Sequence, residues 1–294
     1  MRINTNISSM TAQESGAVNN NNTRSSLEKL SSGLRVNKAS DDASGLAIAD
    51  KLRTQKNSIG QSIDNANSAV AMLQIADKAM AEQSVILDIV KTKLIQSSTA
   101  TTSDDGRKSI AKDIHKLLTE LDGIASQTNY NGRTLLQSAG SGAGSDGAAS
   151  SLSFQIGERA NNTIDTTGNI QSNTSGLGLT AGMNLSNLKS ATSGDGSSLT
   201  VADSKTFLET IDKSLTDLNE MRSNFGSTQV QIESATRNLL TAKTNIAAAE
   251  SVIRDVDFSE ESAHLKQLNI IGQASTYAQS QANAAPQSIL KLLN

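Results

Sequence analysis

The chain has 294 residues, a formal net charge of −3, 36% apolar residues and only 2% aromatics. Large side chains dominate close-packed cores, so this inventory argues against a thick sandwich, a barrel or a doubly wound sheet and for an elongated helical protein. A pI near 5.5 leaves no basic footprint for nucleic acid. No apolar run approaches the ~18 residues of a membrane span, and zero cysteines exclude disulfides and thiolate chemistry.

The first residues show no apolar h-region, so no secretory signal peptide is expected. They offer a weak stripe of Ile3, Ile7 and Met10. Residues 1–58 carry eight Lys and Arg against five Asp and Glu, spread out and without aromatics, which reads as a solvated helix face. From there a heptad begins. Positions 52, 59, 66, 73, 80, 87 and 94 are Leu, Ile, Ala, Leu, Met, Leu and Leu, with Ile63 and Val70 at alternate positions. A shorter helix is predicted after the turn Ser103-Asp104-Asp105-Gly106, with Ile110, Ile114, Leu117, Leu121 and Ile124 at 4-3-4-3 spacing.

Composition then changes. Residues 138–200 hold 11 of the 20 glycines and six charged residues in a Ser/Thr/Asn-rich background. Leu152 to Ile156 alternates strictly and Thr163 to Thr167 follows, which predicts a small β-hairpin. A second helical arm comes next. Positions 211, 218, 225, 232, 239, 246 and 253 are Ile, Leu, Phe, Ile, Leu, Ile and Ile, each followed three residues later by a mostly small or apolar residue. Two heptad arms of matching length on one chain predict an antiparallel coiled coil, and the single proline, Pro286, permits long helices almost everywhere. Glu260 breaks the heptad, and Asp257-Phe258-Ser259-Glu260 has capping-box spacing. A last helix with Leu265, Leu268 and Ile271, and later Ile289, Leu290, Leu292 and Leu293, runs to the end.

Chain ends normally fray and stay polar, yet both ends here are amphipathic. Two readings stand: the stripes pack on the arms or on each other, or they are buried between subunits with ordering coupled to assembly. No catalytic constellation emerges beside them. His115 and His264 fall on different predicted helices without metal-ligand spacing. Asp41-Asp42 and Glu260-Glu261 sit where carboxylates cap helix N-termini. No cofactor, metal or enzymatic activity is expected.

Several long segments bear a resemblance. Residues 31–55, SSGLRVNKASDDASGLAIADKLRTQ, look like the N-terminal signature of bacterial flagellins, and Arg2 to Gln13 resembles the family's opening. Ser126 to Leu136 resembles the end of its third core helix, Phe154 to Gly157 the first strand of its hairpin, and Ala278 to Leu293 its closing helix. The resemblance covers about 1–180 and 200–294. It implies a structural subunit exported unfolded by a type III apparatus and polymerised into a motility filament outside the cell. The implied fold is mainly α: an elongated antiparallel helical coiled-coil bundle with a small β-hairpin and paired N- and C-terminal helices.

The implied domains are 1–44 and 256–294 for the inner core domain and 45–180 and 201–255 for the helical rod, with 181–200 a short variable surface loop and no large outer domain. The implied subunit-packing residues are Ile3, Ile7, Met10, Leu268, Ile271, Ile289, Leu290 and Leu293. Implied partners are further copies of the chain, cap and hook-junction proteins, and an export chaperone at the C-terminus; no nucleic acid and no membrane are expected. The Ser and Thr residues of 138–200 are either O-glycan acceptors or an unmodified loop. Ile89 and Thr92 stand where receptor-recognised flagellins have Arg and Glu, which predicts weak innate-receptor recognition. A hook–filament junction or other axial protein is the alternative role.

Overall fold

The computed structural model describes residues 6–137, 151–166, 170–178, 185–193 and 199–293, with side chains to residue 285. Ile3 therefore lies outside the described residues, as do the side chains of Ile289, Leu290 and Leu293. The elements run α1 (Ile7–Ser32), α2 (Ala43–Ser97), α3 (Asp104–Gln127), β1 (Asn129–Tyr130), β2 (Arg133–Thr134), β3 (Ser153–Gln155), β4 (Thr163–Asp165), α4 (Leu185–Thr192), α5 (Val201–Arg254) and α6 (Phe258–Leu293). The chain divides into two compact units, one of residues 1–57 and 242–294 and one of residues 58–241.

In the larger unit the heptads behave as read. Ile59, Ala66, Leu73, Met80, Leu87 and Leu94 of α2 are buried, as are Ile211, Leu218, Phe225 and Ile232 of α5. Lys91 pairs with Asp212, Arg222 with Asp77, and the Ser97 hydroxyl with that of Ser204, so residue numbers rise on one helix as they fall on the other. The helices are antiparallel. α3 also runs antiparallel to α2, through Lys93–Asp113 and the Gln83 amide on the Leu121 carbonyl. Alanines 66, 69, 76, 111 and 125 are buried between larger neighbours, the small partners that let helices approach closely.

Local chemistry sets the boundaries. The Ser103 hydroxyl accepts from the Gly106 amide and starts α3 at Asp104, so the expected turn is the helix's own first turn. Thr200 and Asp203 exchange side-chain bonds to each other's amides at the head of α5, a capping box. The hairpin expected from residues 152–167 forms with Phe154 opposite Ile164. Phe154 is buried while its neighbours Ser153 and Gln155 face solvent, the alternation of a half-buried strand.

Three features depart from the expectations. Asn131 and Gly132 both have positive φ, 52° and 81°, and close β1 on β2, the two-residue turn that Asn-Gly favours. Residues 181–200, expected from the resemblance to be a short variable surface loop, include α4, whose Leu185 and Leu188 are fully buried. On α3 the inward face is Ile110, Ala111, Ile114, Leu118, Leu121 and Ala125, while Leu117 and Ile124 are only half-buried.

Candidate subunit-packing surface

The smaller unit pairs α1 with α6 and has almost no core of its own. Among its described residues Val36 and Leu268 are the large apolar side chains that are buried, against ten that are exposed: Ile7, Met10, Val18, Leu27, Ile48, Val252, Phe258, Ile270, Ile271 and Tyr277. The seam between the helices is small and polar instead. The Asn19 Nδ2 donates to the Leu268 carbonyl at 3.0 Å, the Ser26 hydroxyl to a Glu261 carboxylate oxygen, and the Ser275 hydroxyl to the Ala12 carbonyl. At the far end the Asn6 side chain donates to the Ala282 carbonyl at 2.8 Å. Asn19 and Ser26 are buried, so each has exchanged water for these partners.

Glycines serve the same seam. A Cβ at Gly16 would lie 3.1 Å from the Ser275 Oγ, and one at Gly272 would lie 3.1 Å from the Asn19 Nδ2. Glycine inside a helix costs roughly 1 kcal/mol relative to alanine, and here close approach explains it. With small residues inward, the apolar side chains have only the outside to face. Of the residues expected to pack between subunits, Ile7 is 64% exposed, Met10 62% and Ile271 43%, whereas Leu268, at 6%, is buried against α1 within the chain. Ile7 and Ile271 line one open groove of about 620 Å³ between the helices, floored by Ala12, Ala274 and Ser275.

The signature segment 31–55 occupies the joint of this unit. Gly33, at φ 71°, ends α1 with its amide on the Lys29 carbonyl, a left-handed cap that glycine adopts at no steric cost. Leu34 bridges Asp255 in antiparallel fashion: the Arg35 amide donates to the Arg254 carbonyl at 2.7 Å and the Val256 amide to the Gly33 carbonyl at 3.1 Å. The Arg35 guanidinium donates to the carbonyls of Val252 and Ile253 in the last turn of α5. Those carbonyls have no helical partner, and a cation suits that end of the helix dipole.

The paired carboxylates have structural duties. Asp41 accepts from the amides of Asn37 and Lys38 and is held below the usual carboxylate range, chiefly by the Lys38 bond. Lys38 is raised above the ordinary lysine range by its bond to Glu28. Asp42 caps α2 by accepting from the Gly45 amide at 2.8 Å. At α6 the cap is Asp257, which accepts from Ser259 and Glu260, and Glu261 turns to Ser26. His115 contacts the Lys189 carbonyl through Nδ1, and His264 lies 3.5 Å from Glu261. Among the described residues no group of three His, Cys, Asp or Glu side chains gathers as a metal ion would need. Among the described residues no helix is long and apolar enough to cross a membrane.

In the larger unit, Ile89 and Thr92 both lie on the exposed face of α2, Ile89 at 43%. The Thr92 hydroxyl is turned back on the Asp88 carbonyl.

Comparison with known proteins sets these features in a family. Residues 3–141 match the bacterial flagellin N-terminal helical region and residues 208–293 the C-terminal helical region. The chain is 32% identical to a flagellin of Bacillus subtilis, over 100% of both chains. It is 49% identical to flagellin B of Helicobacter pylori over 55% of this chain, and that match spans 30% of the longer relative. Among solved structures, a flagellar hook-associated protein assignment from Vibrio parahaemolyticus superposes at TM-score 0.59 over 73% of this chain and 99% of the other, at 12% identity. At that identity the likeness is one of fold.

Proposed function

The chain belongs to the bacterial flagellin family, and on that premise we propose that it is the repeating subunit of a flagellar filament, polymerised outside the cell and turned for motility. The observation that supports this is the inverted packing of α1 on α6, with polar and small residues inside and apolar residues outside. Burying a large aliphatic side chain is worth about 1.5–3 kcal/mol. Half-exposed residues such as Ile7, Met10 and Ile271 therefore give an incoming copy several kcal/mol per contact face. A surface that meets a different surface on its neighbour repeats into an open helix rather than a closed ring.

In this reading the two units correspond to an inner domain and a surrounding tube, and further parts of the pathway follow from family membership. The chain passes unfolded through a type III apparatus, with a chaperone on its C-terminal segment, and is laid down under a cap beyond the hook-junction proteins. The Ser and Thr residues of 138–200 are candidate O-glycan acceptors. Exposed Ile89 and Thr92, an apolar and a neutral side chain in place of Arg and Glu, make the monomer a poor innate-receptor agonist. Strong signalling from purified monomer in a receptor reporter line would refute that last point.

Electron microscopy after salting-out, comparing the full chain with residues 45–255 alone, tests the central proposal. Filaments from the first and none from the second are expected. Filaments from neither would turn attention to a junction role, for which the hook-associated structure is the fold-level precedent.

A further inference from the structure

We propose that Asn131 is a self-modification site, whose side-chain amide is converted to aspartate and isoaspartate through attack by the Gly132 backbone nitrogen. The reaction needs only the chain and water. The Gly132 nitrogen bonds to the Asn131 Cγ, the Cγ–Nδ2 bond breaks, and the side-chain nitrogen leaves as ammonia. The third hydrogen of that ammonia balances the proton lost from the Gly132 nitrogen. Water then opens the five-membered imide at either carbonyl, and one of the two openings leaves an extra methylene in the main chain. Such a step requires an unshielded nitrogen after the asparagine and an amide proton that nothing holds.

Asn131-Gly132 meets both conditions, and it is the single Asn-Gly step in the sequence. Glycine has no side chain to shield its nitrogen, and a Cβ built at Gly132 would meet nothing within 4 Å. Both residues are exposed at the tip of the β1–β2 turn. Among the described residues, neither the Asn131 side chain nor the Gly132 amide has a hydrogen-bond partner. Other asparagines lack that freedom. The amides that follow Asn37, Asn161 and Asn173 donate to Asp41, to the Arg159 carbonyl and to Asp122. Those that follow Asn57 and Asn67 lie inside α2, where the helical ladder holds them. A hydrogen bond to the protonated form makes that proton harder to lose.

The fold also says what the product does. Asn131 and Gly132, at φ 52° and 81°, close the Tyr130–Arg133 pair with two residues, and in a hairpin the loop length sets the register. A methylene inserted by isoaspartate lengthens that loop and parts the pair. The change stops at the turn. The Leu135 amide donates to the Thr128 carbonyl and the Ser172 amide to the Leu136 carbonyl, and both leucines are buried.

The test keeps the full chain folded and unpolymerised at mildly alkaline pH, samples it over days and maps its peptides by mass spectrometry. The peptide carrying Asn131 should gain the mass of an amide turned to a carboxyl and become a substrate for protein isoaspartate methyltransferase. Its conversion should outpace that of any other asparagine peptide by about tenfold, a barrier lower by about 1.4 kcal/mol, and should quicken as hydroxide rises. Asn131→Gly, which keeps residues that this turn favours, should abolish the signal. In the converted chain amide exchange at Tyr130 and Arg133 should quicken while that of α3 stays unchanged. An Asn131 that reacts in the urea-unfolded chain but stays intact in the folded one overturns the proposal, because the turn then protects it. Equal rates at several asparagines overturn it too, and unchanged exchange in converted chain overturns the parting of the turn. Polymerisation plays no part in these measurements, so the filament reading stands or falls separately.

Discussion

Leu34 and Asp255 form the single antiparallel bridge that joins the connection between α1 and α2 to the connection between α5 and α6. It brings four helix ends together without a hydrophobic cluster, since Val36 is the large apolar residue buried in this segment. The strength of the joint therefore lies in hydrogen bonds, and the least replaceable is the pair from Arg35 to the carbonyls of Val252 and Ile253.

Arg35→Gln should loosen the last turn of α5. The contacts are solvent-exposed, so the cost is about 1 kcal/mol, at the lower end for hydrogen bonds to a charged donor. Amide hydrogen exchange over residues 250–256 is the suitable measurement. Faster exchange there, with unchanged exchange in α3, is the expected pattern, and unaltered rates across α5 would show that the guanidinium caps nothing.

A second prediction concerns Gly178. Its φ of 72° is unfavourable for any side chain, and a Cβ would meet the Ser214 Oγ at 2.3 Å and the Thr210 carbonyl oxygen at 2.8 Å. The backbone carbonyl sits inside α5 and cannot yield as a side chain would. Gly178→Ala should cost on the order of 2–3 kcal/mol from strain and overpacking together, seen as a lower urea midpoint with little change in the slope of the transition.

The pH dependence of the joint follows from Asp41. Its carboxyl is held below its ordinary value of 3.8 by the amide bonds from Lys38 and Asn37. The unfolded chain therefore binds this proton at higher pH than the folded one does. The stabilisation is fully present above the ordinary carboxylate value and is lost as pH falls through the depressed one. Asp41→Asn should thus lower stability at neutral pH, and the gap between variant and parent should shrink in an acid titration below about pH 4. A gap that stayed constant or widened on acidification would assign the turn to some other contact.

The helical arms were legible in the sequence because their burial is periodic: Leu73, Met80, Leu87 and Leu94 mark one seam and Ile211, Leu218, Phe225 and Ile232 the other. The shorter helix was less so. Ala111, Leu118 and Ala125 share its inward face, and alanine gives a period search little to hold, so Leu117 and Ile124 drew the stripe a third of a turn away. The β1–β2 hairpin did carry a signal, Asn131-Gly132, hidden by its closeness to the end of α3. α4 was masked by glycine and serine on both sides, although Leu185 and Leu188 have helical spacing.

Least legible was the seam of α1 on α6. Asn19, Ser26, Gly16 and Gly272 look like surface residues to any hydrophobicity argument, and only the geometry shows that they face inward. The same inversion leaves the apolar stripes of the two chain ends on the outside.

That inversion separates two substitutions that sequence alone would treat alike. Ile7 and Leu268 both belong to the apolar pattern of the terminal helices, but Ile7 is 64% exposed and Leu268 is 6% exposed. Ile7→Asp puts its charge into water, so the isolated protein should keep the stability of its parent. Leu268→Asp puts a carboxylate under α1 beside the Asn19 amide, and an unpaired buried charge costs several kcal/mol, enough to part the two helices. Both variants should fail to polymerise, for different reasons. Circular dichroism of the monomers before salting-out should show full helix content for Ile7→Asp and a loss limited to α1 and α6 for Leu268→Asp. Normal filaments from Ile7→Asp would show that the outward apolar face of α1 is not a subunit contact, whereas a parental helix signal from Leu268→Asp would show that the α1–α6 pair does not depend on its one large buried side chain.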